Sequence, residues 1–332
     1  MASEPRKSTS IISGVGSYVP PQVVDNATLS ERVDTSDEWI RSRTGIKQRR
    51  FASEKESTSD LAFIAAQNAL KDAGKTANEI DLVIVATITP DMAFPSTACL
   101  IQHRLGIPKV ACFDIEAACS GFLYALDIAD GMLSSGRFKC VLVVGAEKLS
   151  SIMDWEDRTT CVLFGDGAGA AVLTNSGEGP QLIGFKSGAD GSNPTLLHQP
   201  AGGSLEPASI KTLEARGHFL KMNGREIFKS AVRVMGAAAR ELLAENGFSE
   251  KDVDHVIPHQ ANARIVESLS QRLDIPLDKF FCNLDKYGNT SAASIPIAFD
   301  EATKASIFKQ GELGLFVAFG AGLTWSAILV RF

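Results

Sequence analysis

The sequence predicts an α/β fold made of two homologous halves with layered sheets and helices, on three observations. First, apolar runs such as Leu82-Val83-Ile84-Val85-Ala86 and Val141-Leu142-Val143-Val144 show no polar alternation, the pattern of strands buried on both faces. Second, these runs alternate with helical patterns that stop at a glycine, at Gly74, Gly136, Gly247 and Gly311. Third, the order recurs. Gly74 and Gly247 lie 173 residues apart (247 minus 74), as do Asp81 and Asp254 (254 minus 81), and a buried strand follows each pair. A second echo runs from Phe164-Gly165-Asp166-Gly167 into the strand Ala170-Ala171-Val172-Leu173, and from Phe319-Gly320-Ala321-Gly322 toward Ala327-Ile328-Leu329-Val330. The halves meet near residue 180, giving units 1–180 and 181–332.

Along the chain, residues 20–60 are polar and turn-rich and read as surface cover rather than core. Val110, Ala111, Cys112, Phe113 and Ile115 form a short buried strand, followed by a helix with Phe122, Leu123, Leu126, Ala129, Met132 and Leu133 on one face. Residues 177–220, rich in Gly, Pro, Ser and charge, read as loops or an irregular connection. His255 opens the strand His255-Val256-Ile257-Pro258 and is expected at a sheet edge.

With 332 residues, 45% of them hydrophobic, the chain is long enough for a large core. A net charge of −6 excludes a surface devoted to nucleic acid. No apolar run is long enough to cross a membrane, and residues 1–10 lack a signal-peptide core, so a cytoplasmic protein is expected. The six cysteines show neither CxxC nor zinc spacing and are expected as free thiols, with Cys112, Cys140 and Cys161 in the core. Gly165-Asp166-Gly167-Ala168-Gly169 leads into a strand rather than opening a helix, so it fails as a dinucleotide loop. There is no Walker motif, and nothing calls for a metal or a redox cofactor.

Three residues carry candidate chemistry. Cys119 stands between the predicted strand and helix, where backbone N–H groups and the helix dipole favour a thiolate. The other reading of Cys119 is a small buried core residue. His259 ends the second-half strand, where a buried sheet opens into a loop; it is a site residue there or an ordinary loop histidine. Asn289 lies after a strand and before a helix, roughly the place that Cys119 holds in the first half, and a helix-capping role is open to it. A thiolate exchanges acyl groups with thioesters at little cost. A neutral His and an Asn, both donors, can hold an enolate that a carboxylate would repel. Trp39 is flanked by Arg41, Arg43, Lys47, Arg49 and Arg50, which suits a base bearing phosphates or a solvated basic loop. Lys221, Arg225, Lys229 and Arg233 recur every four residues, a basic stripe if the segment is helical.

Ala118-Cys119-Ser120-Gly121, Pro258-His259-Gln260-Ala261-Asn262 and Gly288-Asn289-Thr290-Ser291-Ala292 resemble the three active-site motifs of the 3-oxoacyl-[acyl-carrier-protein] synthase III family. Thr35-Ser36-Asp37-Glu38-Trp39-Ile40, Phe164-Gly165-Asp166-Gly167-Ala168-Gly169-Ala170 and Thr324-Trp325-Ser326 match as well, so the resemblance spans essentially the whole chain. It implies a thiolase-like layered α/β/α/β/α fold, a homodimer, and an initiating condensing enzyme of fatty acid synthesis. By similarity, Cys119 takes an acyl group, usually acetyl, from acyl-CoA, a substrate rather than a cofactor. The acyl group then condenses with malonyl-acyl-carrier protein, with loss of CO2, while His259 and Asn289 hold the enolate. Backbone N–H groups of Cys119 and Ala321 would form the oxyanion hole; some relatives carry glycine where Ala321 stands. Thr35, Trp39, Arg43, Arg158, Gly224, Phe228 and Asn262 match coenzyme A and pantetheine positions, with Trp39 and Arg158 on opposite faces of the adenine. Lys229, Arg264 and Arg272 are expected to dock the acidic carrier protein. Phe94 matches a position that reaches the partner subunit's acyl pocket and leans toward short primers. A related condensing synthase of secondary metabolism is the alternative. Elongating synthases carry a second His, and thiolases a second Cys, where Asn289 stands.

Overall fold

This computed structural model describes residues 10–332; the N-terminal run expected to lack a signal-peptide core lies, up to residue 9, outside them. The chain begins with β1 (Ile11–Tyr18), then a cap of β2 (Gln22–Asp25), α1 (Asn26–Ser30), α2 (Asp37–Thr44) and β3 (Gln48–Phe51). There follow α3 (Thr58–Asp72), β4 (Leu82–Ala86), α4 (Thr97–Leu105), β5 (Ala111–Ile115), α5 (Gly121–Ser134), β6 (Cys140–Glu147) and β7 (Gly167–Thr174). The second round opens with β8 (Gln181–Ala189) and an excursion through β9 (Leu197–His198), α6 (Ile210–Glu214) and β10 (Lys221–Met222). It continues with α7 (Gly224–Glu245), β11 (His255–Pro258), α8 (Ala263–Leu273), α9 (Leu284–Tyr287), α10 (Ser294–Lys304), β12 (Leu313–Gly320) and β13 (Thr324–Arg331).

The 173-residue offset extends through the structure. It relates the starts of β4 and β11 (255 minus 82), of α5 and α10 (294 minus 121) and of β6 and β12 (313 minus 140). The main sheet has nine strands in the order β11-β12-β13-β8-β1-β7-β6-β4-β5. From the β1–β8 junction the arms mirror each other, with parallel pairs at the outside and antiparallel pairs within. That junction is thin. Ile11 opposes Gln181, and bonds from Ile12 N–H to the Pro180 carbonyl (2.8 Å) and from Leu182 N–H to the Ser10 carbonyl (3.0 Å) flank it.

The arms fold toward each other around α5 and α10. Phe122, Leu123 and Leu126 of α5 and Ile295 and Phe299 of α10 share one cluster with Ile84 and Val143 of one arm and Phe316 and Ile328 of the other. Helices α3 and α4 cover the outer face of the first arm, and α7 and α8 that of the second. The result is five layers, α/β/α/β/α, and it explains the continuous apolar runs: strands with helices on both faces have no solvent side for polar residues. Burying one Leu or Phe side chain contributes about 1.5–3 kcal/mol. Gly74, Gly136, Gly247 and Gly311 all take positive φ, from 61° to 88°, as the helix-stop reading requires.

Three expectations need correction. Residues 181–189, assigned to an irregular connection, form β8 beside the centre of the sheet. Its glycines hid it: Gly184 lies under the Asn246 side chain and Gly188 under the Trp325 ring, positions too close for a Cβ. The strand after Val110 is real, but β5 is an outer strand and partly exposed; Cys112 is accordingly half-buried, whereas Cys140 and Cys161 are buried. Residues 20–60 cover the surface yet have a core of their own, with Leu29, Ile40 and Ile46 buried against Leu149 and Phe164. Arg49 is fully buried there and donates to the Val24 and Val162 carbonyls and Asn26 Oδ1, so it is no part of a basic face. His255 opens the outermost strand β11, as expected, and faces Glu312 at 2.7 Å.

The two arms approach closely at Gly145 of β6, where a Cβ would sit 2.4 Å from the Ala292 carbonyl oxygen. Gly145→Ala should therefore lose about 1–3 kcal/mol of stability through overpacking, read as a lower urea midpoint. A midpoint equal to wild type would show that this contact is slack.

Candidate active site

Cys119 sits in a single 3-10 turn, residues 118–120, between β5 and α5. The turn is entered through Ala118 at φ 47°, a left-handed conformation rare for alanine. The same device recurs across the molecule: Ser291 at φ 49° enters the 3-10 turn 291–293 that heads α10. Ala118 and Ser291 are 173 residues apart (291 minus 118), so the counterpart of Cys119 is Ala292, and Asn289 is matched by Glu116 (289 minus 116). Asn289 thus stands three residues before the place that the sequence suggested for it.

Cys119 is 8% exposed, and this burial decides its protonation. Desolvation pushes the thiol up to about 12, with Glu147 and Glu116 adding to the effect, against the pull of Ser291 and the residue's own N–H. The expected helix-dipole thiolate is therefore not the resting form; the free site holds a thiol.

His259 follows β11 directly and is buried. Its Nδ1 lies 2.7 Å from Ser294 Oγ, which also accepts the Gln260 N–H at 3.4 Å. Either tautomer satisfies this contact; when the Ser294 hydroxyl donates to Nδ1, the proton of the neutral ring sits on Nε2 and points to a ligand. Burial pushes the imidazole down to about 3, so it stays neutral. Asn289 is held by N–H donation to the Leu163 carbonyl (2.8 Å) and by its own carbonyl accepting from Gly165 N–H (3.0 Å). Its Oδ1 accepts the Ser291 N–H at 2.8 Å, which assigns the Nδ2 hydrogens as the donors offered to a ligand. With the ring proton on Nε2, two neutral donors of defined orientation result.

A cavity of about 120 Å³ is lined by Cys119, His259 and Asn289 together with Gly224, Phe228 and Asn262. A second, of about 400 Å³, is lined by Cys119, Ser291 and Ala321 and walled by Leu149, Phe164 and Leu220. Cys119, Phe164 and Leu197 belong to both, so the thiol stands where two cavities meet. Gly320 packs against the Cys119 N–H, where a Cβ would be 2.7 Å from the nitrogen, bringing the Ala321 backbone beside it. Ala321 is not among the positive-φ residues, so alanine is accommodated.

Arg43 and Arg158 lie over the Trp39 ring at 4.9 and 5.4 Å from its centroid. Arg158 covers the face expected to receive adenine, so a base must displace it. Asn262 Nδ2 donates to the Arg43 carbonyl (3.2 Å) and Arg264 to the Ser42 carbonyl (2.8 Å), fixing α8 against the end of α2. Thr35 lies just before α2, with its Oγ1 buried and unpartnered. Lys229 pairs with Glu226 on α7 at 2.9 Å, and Arg272 of α8 packs over Gly236. Lys221 leaves the expected stripe: it belongs to β10 and binds Asp154 at 2.9 Å. Phe94 is 85% exposed beside the open edge of β5.

Sequence reasoning missed Ser294, Ser291 and Glu147. Ser291 lies inside the motif that contains Asn289 and Ser294 two residues beyond it, but their partners are 35 residues away or in another layer. Asp166, in the run that fails as a dinucleotide loop, joins the cap to the core by accepting from Ala52 N–H (2.8 Å), Ser150 N–H (2.8 Å) and Ser150 Oγ–H (2.6 Å).

Residues 113–191 match the family model described as 3-oxoacyl-[acyl-carrier-protein (ACP)] synthase III, and residues 243–332 match the model of that family's C-terminal part. The chain is similar to the beta-ketoacyl-[acyl-carrier-protein] synthase III of Caldanaerobacter subterraneus, at 52% identity over 96% of this chain and 97% of the relative. Among solved structures, 3-oxoacyl-[acyl-carrier-protein] synthase III from Aquifex aeolicus superposes with a TM-score of 0.90 at 51% identity, covering 97% of this chain and 100% of that one. A priming beta-ketosynthase of a polyketide biosynthetic pathway matches at 36% identity and a TM-score of 0.89, over 98% and 97% of the two chains.

A histidine whose pKa is depressed by folding contributes stability that is full above its unfolded value and is lost as pH falls through its folded one. For His259 that window runs from 6.5 down to about 3. His259→Gln removes this loss, so the urea midpoint of the variant should fall less than that of wild type between about pH 6.5 and 4. Equal falls would mean that the imidazole is not held neutral.

Proposed function

The chain belongs to the 3-oxoacyl-[acyl-carrier-protein] synthase III family, and from that membership we propose how its residues perform the reaction. It is an acyltransferase and the initiating condensing enzyme of type II fatty acid synthesis. The Cys119 sulfur attacks the thioester of an acyl-CoA, an Sγ–acyl bond forms, and coenzyme A leaves as the thiol. The malonyl thioester on the carrier protein's pantetheine arm then reaches the 120 Å³ cavity. Loss of CO2 leaves an enolate whose oxygen takes hydrogen bonds from His259 Nε2 and Asn289 Nδ2. The enolate carbon attacks the acyl-Cys119 carbonyl, whose developing negative charge faces the N–H groups of Cys119 and Ala321, and 3-oxoacyl-carrier protein departs. Removing one such donor typically costs about 2.7–4 kcal/mol of transition-state stabilisation.

The observation that carries this reading is the junction at Cys119. One cavity offers the two neutral donors, and the other offers apolar walls for an acyl chain. Relatives at about half identity over nearly the full chain are named beta-ketoacyl-[acyl-carrier-protein] synthase III, which favours primary fatty acid synthesis over secondary metabolism.

Thr35, Trp39, Arg43, Arg158, Gly224, Phe228 and Asn262 are proposed to carry coenzyme A and pantetheine, and Lys229, Arg264 and Arg272 the acidic carrier protein. The open edge of β5 and the exposed Phe94 beside it support a homodimer in which Phe94 of each subunit enters its partner's acyl pocket. The protein works in the cytoplasm, and no helix among the described residues is long and apolar enough to cross a membrane. The two units, 1–180 and 181–332, are read as copies of one ancestral half.

Intact mass measurement after incubation with a series of acyl-CoAs should show one acyl adduct, absent in Cys119→Ala; an adduct that persists in that variant refutes the assignment. Asn289→Ala should slow CO2 release from malonyl-carrier protein by about 100-fold while slowing Cys119 acylation far less. Equal loss of both steps would contradict its role as enolate donor.

A further inference from the structure

Cys119 rests as a thiol, so something must take its proton when it attacks. In the tautomer that offers Nε2–H to the enolate, His259 is not available for this, because Nδ1 accepts from Ser294 and Nε2 already carries a hydrogen. The structure places another group behind the nucleophile. Glu147, the last residue of β6, is wholly buried 60 residues or so from its main partners in sequence. Its carboxylate accepts from the Thr89 hydroxyl (2.6 Å), the Thr87 hydroxyl (3.2 Å) and the Ile88 N–H (3.2 Å), with no cation among these partners. The neighbouring Lys148 turns its ammonium away to the Ser53 and Glu56 carbonyls.

Ser291 lies between this carboxylate and the thiol. It is 1% exposed, its Oγ makes no aligned hydrogen bond, and it abuts both Cys119 and Glu147. A buried hydroxyl with no aligned hydrogen bond is costly, and a left-handed backbone at the same residue adds to that cost. Such a cost persists where the surroundings hold the group in place for function. Ser291 also lines the 400 Å³ cavity beside Cys119.

We propose that Ser291 and Glu147 form a proton relay for the Cys119 thiol, a role that rests on the condensing reading above. As Cys119 Sγ bonds to the acyl carbon, its proton moves to Ser291 Oγ while the Ser291 hydroxyl proton moves to the Glu147 carboxylate. When the bond from the acyl carbon to the coenzyme A sulfur breaks, the proton returns by the same path to the departing thiolate. Glu147 ends as it began, and no net proton is gained or lost. Burial lifts the Glu147 carboxyl to about 7, which suits a group that must both take and return a proton near neutral pH. The titratable groups around the thiol are Glu147, Glu116 and, in the smaller cavity, His259, which burial holds neutral; Glu116 is exposed, with its carboxylate accepting the Ala118 N–H at 3.2 Å.

The test is rapid-quench acylation of Cys119 by acetyl-CoA over about pH 5.5 to 9, read by intact mass, in wild type, Ser291→Ala, Glu147→Gln and Glu116→Gln. Wild type should acylate faster as pH rises, with an inflection near 7. Ser291→Ala and Glu147→Gln should lose that inflection and acylate about 10–100-fold more slowly at the alkaline end. Their CO2 release from malonyl-carrier protein should fall at least tenfold less than acylation does, a split that general damage to the fold would not produce. Glu116→Gln should keep the inflection. The relay is overturned if Ser291→Ala retains the wild-type profile, if both half-reactions fall together, or if the inflection vanishes in Glu116→Gln instead. Should Glu147→Gln fail to fold, the profile of Ser291→Ala decides alone. If wild-type Cys119 takes no acyl group from any acyl-CoA, the condensing reading fails and the relay with it; acylation with unchanged variant profiles sinks only the relay.

Discussion

Every feature of the site depends on one contact, the packing of the 3-10 turn at 118–120 against the one at 291–293 where α5 and α10 begin side by side. Both turns are built of small residues, Ala117, Ala118, Ser120 and Gly121 on one side and Ser291, Ala292 and Ala293 on the other, all buried. A larger side chain would separate them. Gly121 allows approach to Ala86 and Ala292, Gly145 to the Ala292 carbonyl, and Gly320 to the Cys119 N–H. Ala118 and Ser291 hold left-handed conformations that cost on the order of 1–3 kcal/mol each, and the surrounding core offsets that strain. The strain aims residue 119 into the cavity rather than along the helix.

Burial then decides the charge state of every group in the site. Removing water raises the Cys119 thiol and the Glu147 carboxyl and lowers the His259 imidazole, each toward its neutral form. A neutral site suits the chemistry. On the proposed mechanism the charges that develop on the substrate are the enolate and the oxyanion at the acyl carbon, and fixed neutral donors stabilise an anion without first binding a competing one. Glu147 contributes most to folding stability below its unfolded pKa of 4.5 and loses that contribution as pH rises through about 7, the reverse of His259. The two opposed dependences leave the fold least strained by its own site in the weakly acidic to neutral range.

Much of this was legible in the sequence where one residue's chemistry sufficed. Continuous apolar runs announced β4, β6 and β12, and the glycines at 74, 136, 247 and 311 marked helix ends because only glycine takes positive φ there without strain. Cys119, His259 and Asn289 were legible as chemical types. What escaped were properties of partners. Strand β8 hides behind two glycines whose purpose is visible only with Asn246 and Trp325 packed on them. The partial exposure of β5 depends on its being the last strand of the sheet. The thiol was misjudged because the field of a helix N-terminus is a local property, whereas desolvation is set by every layer around it. Ser294 and Glu147 read as an ordinary serine and a strand-ending charge, since their roles exist only across the fold.

The repeat also explains why the site is asymmetric on a symmetric frame. Glu116-Ala117-Ala118-Cys119 and Asn289-Thr290-Ser291-Ala292 are the same turn in two copies, yet one presents a nucleophile and the other an amide donor. Strand ends β6 and β12 correspond in the same way: Glu147 matches Gly320 (320 minus 147). A glycine is needed at 320 because the Cys119 N–H lies 2.7 Å from where a Cβ would be. At 147 the facing residue is Ser291, and there is room for a carboxylate that two threonines and an amide can hold. Exchanging the two ends would place a buried charge against the oxyanion donors and leave Ser291 facing a void. The duplicated turns pack the two halves against each other, and on the function proposed above the differences between the copies give attack to Cys119 of one half and enolate stabilisation to His259 and Asn289 of the other.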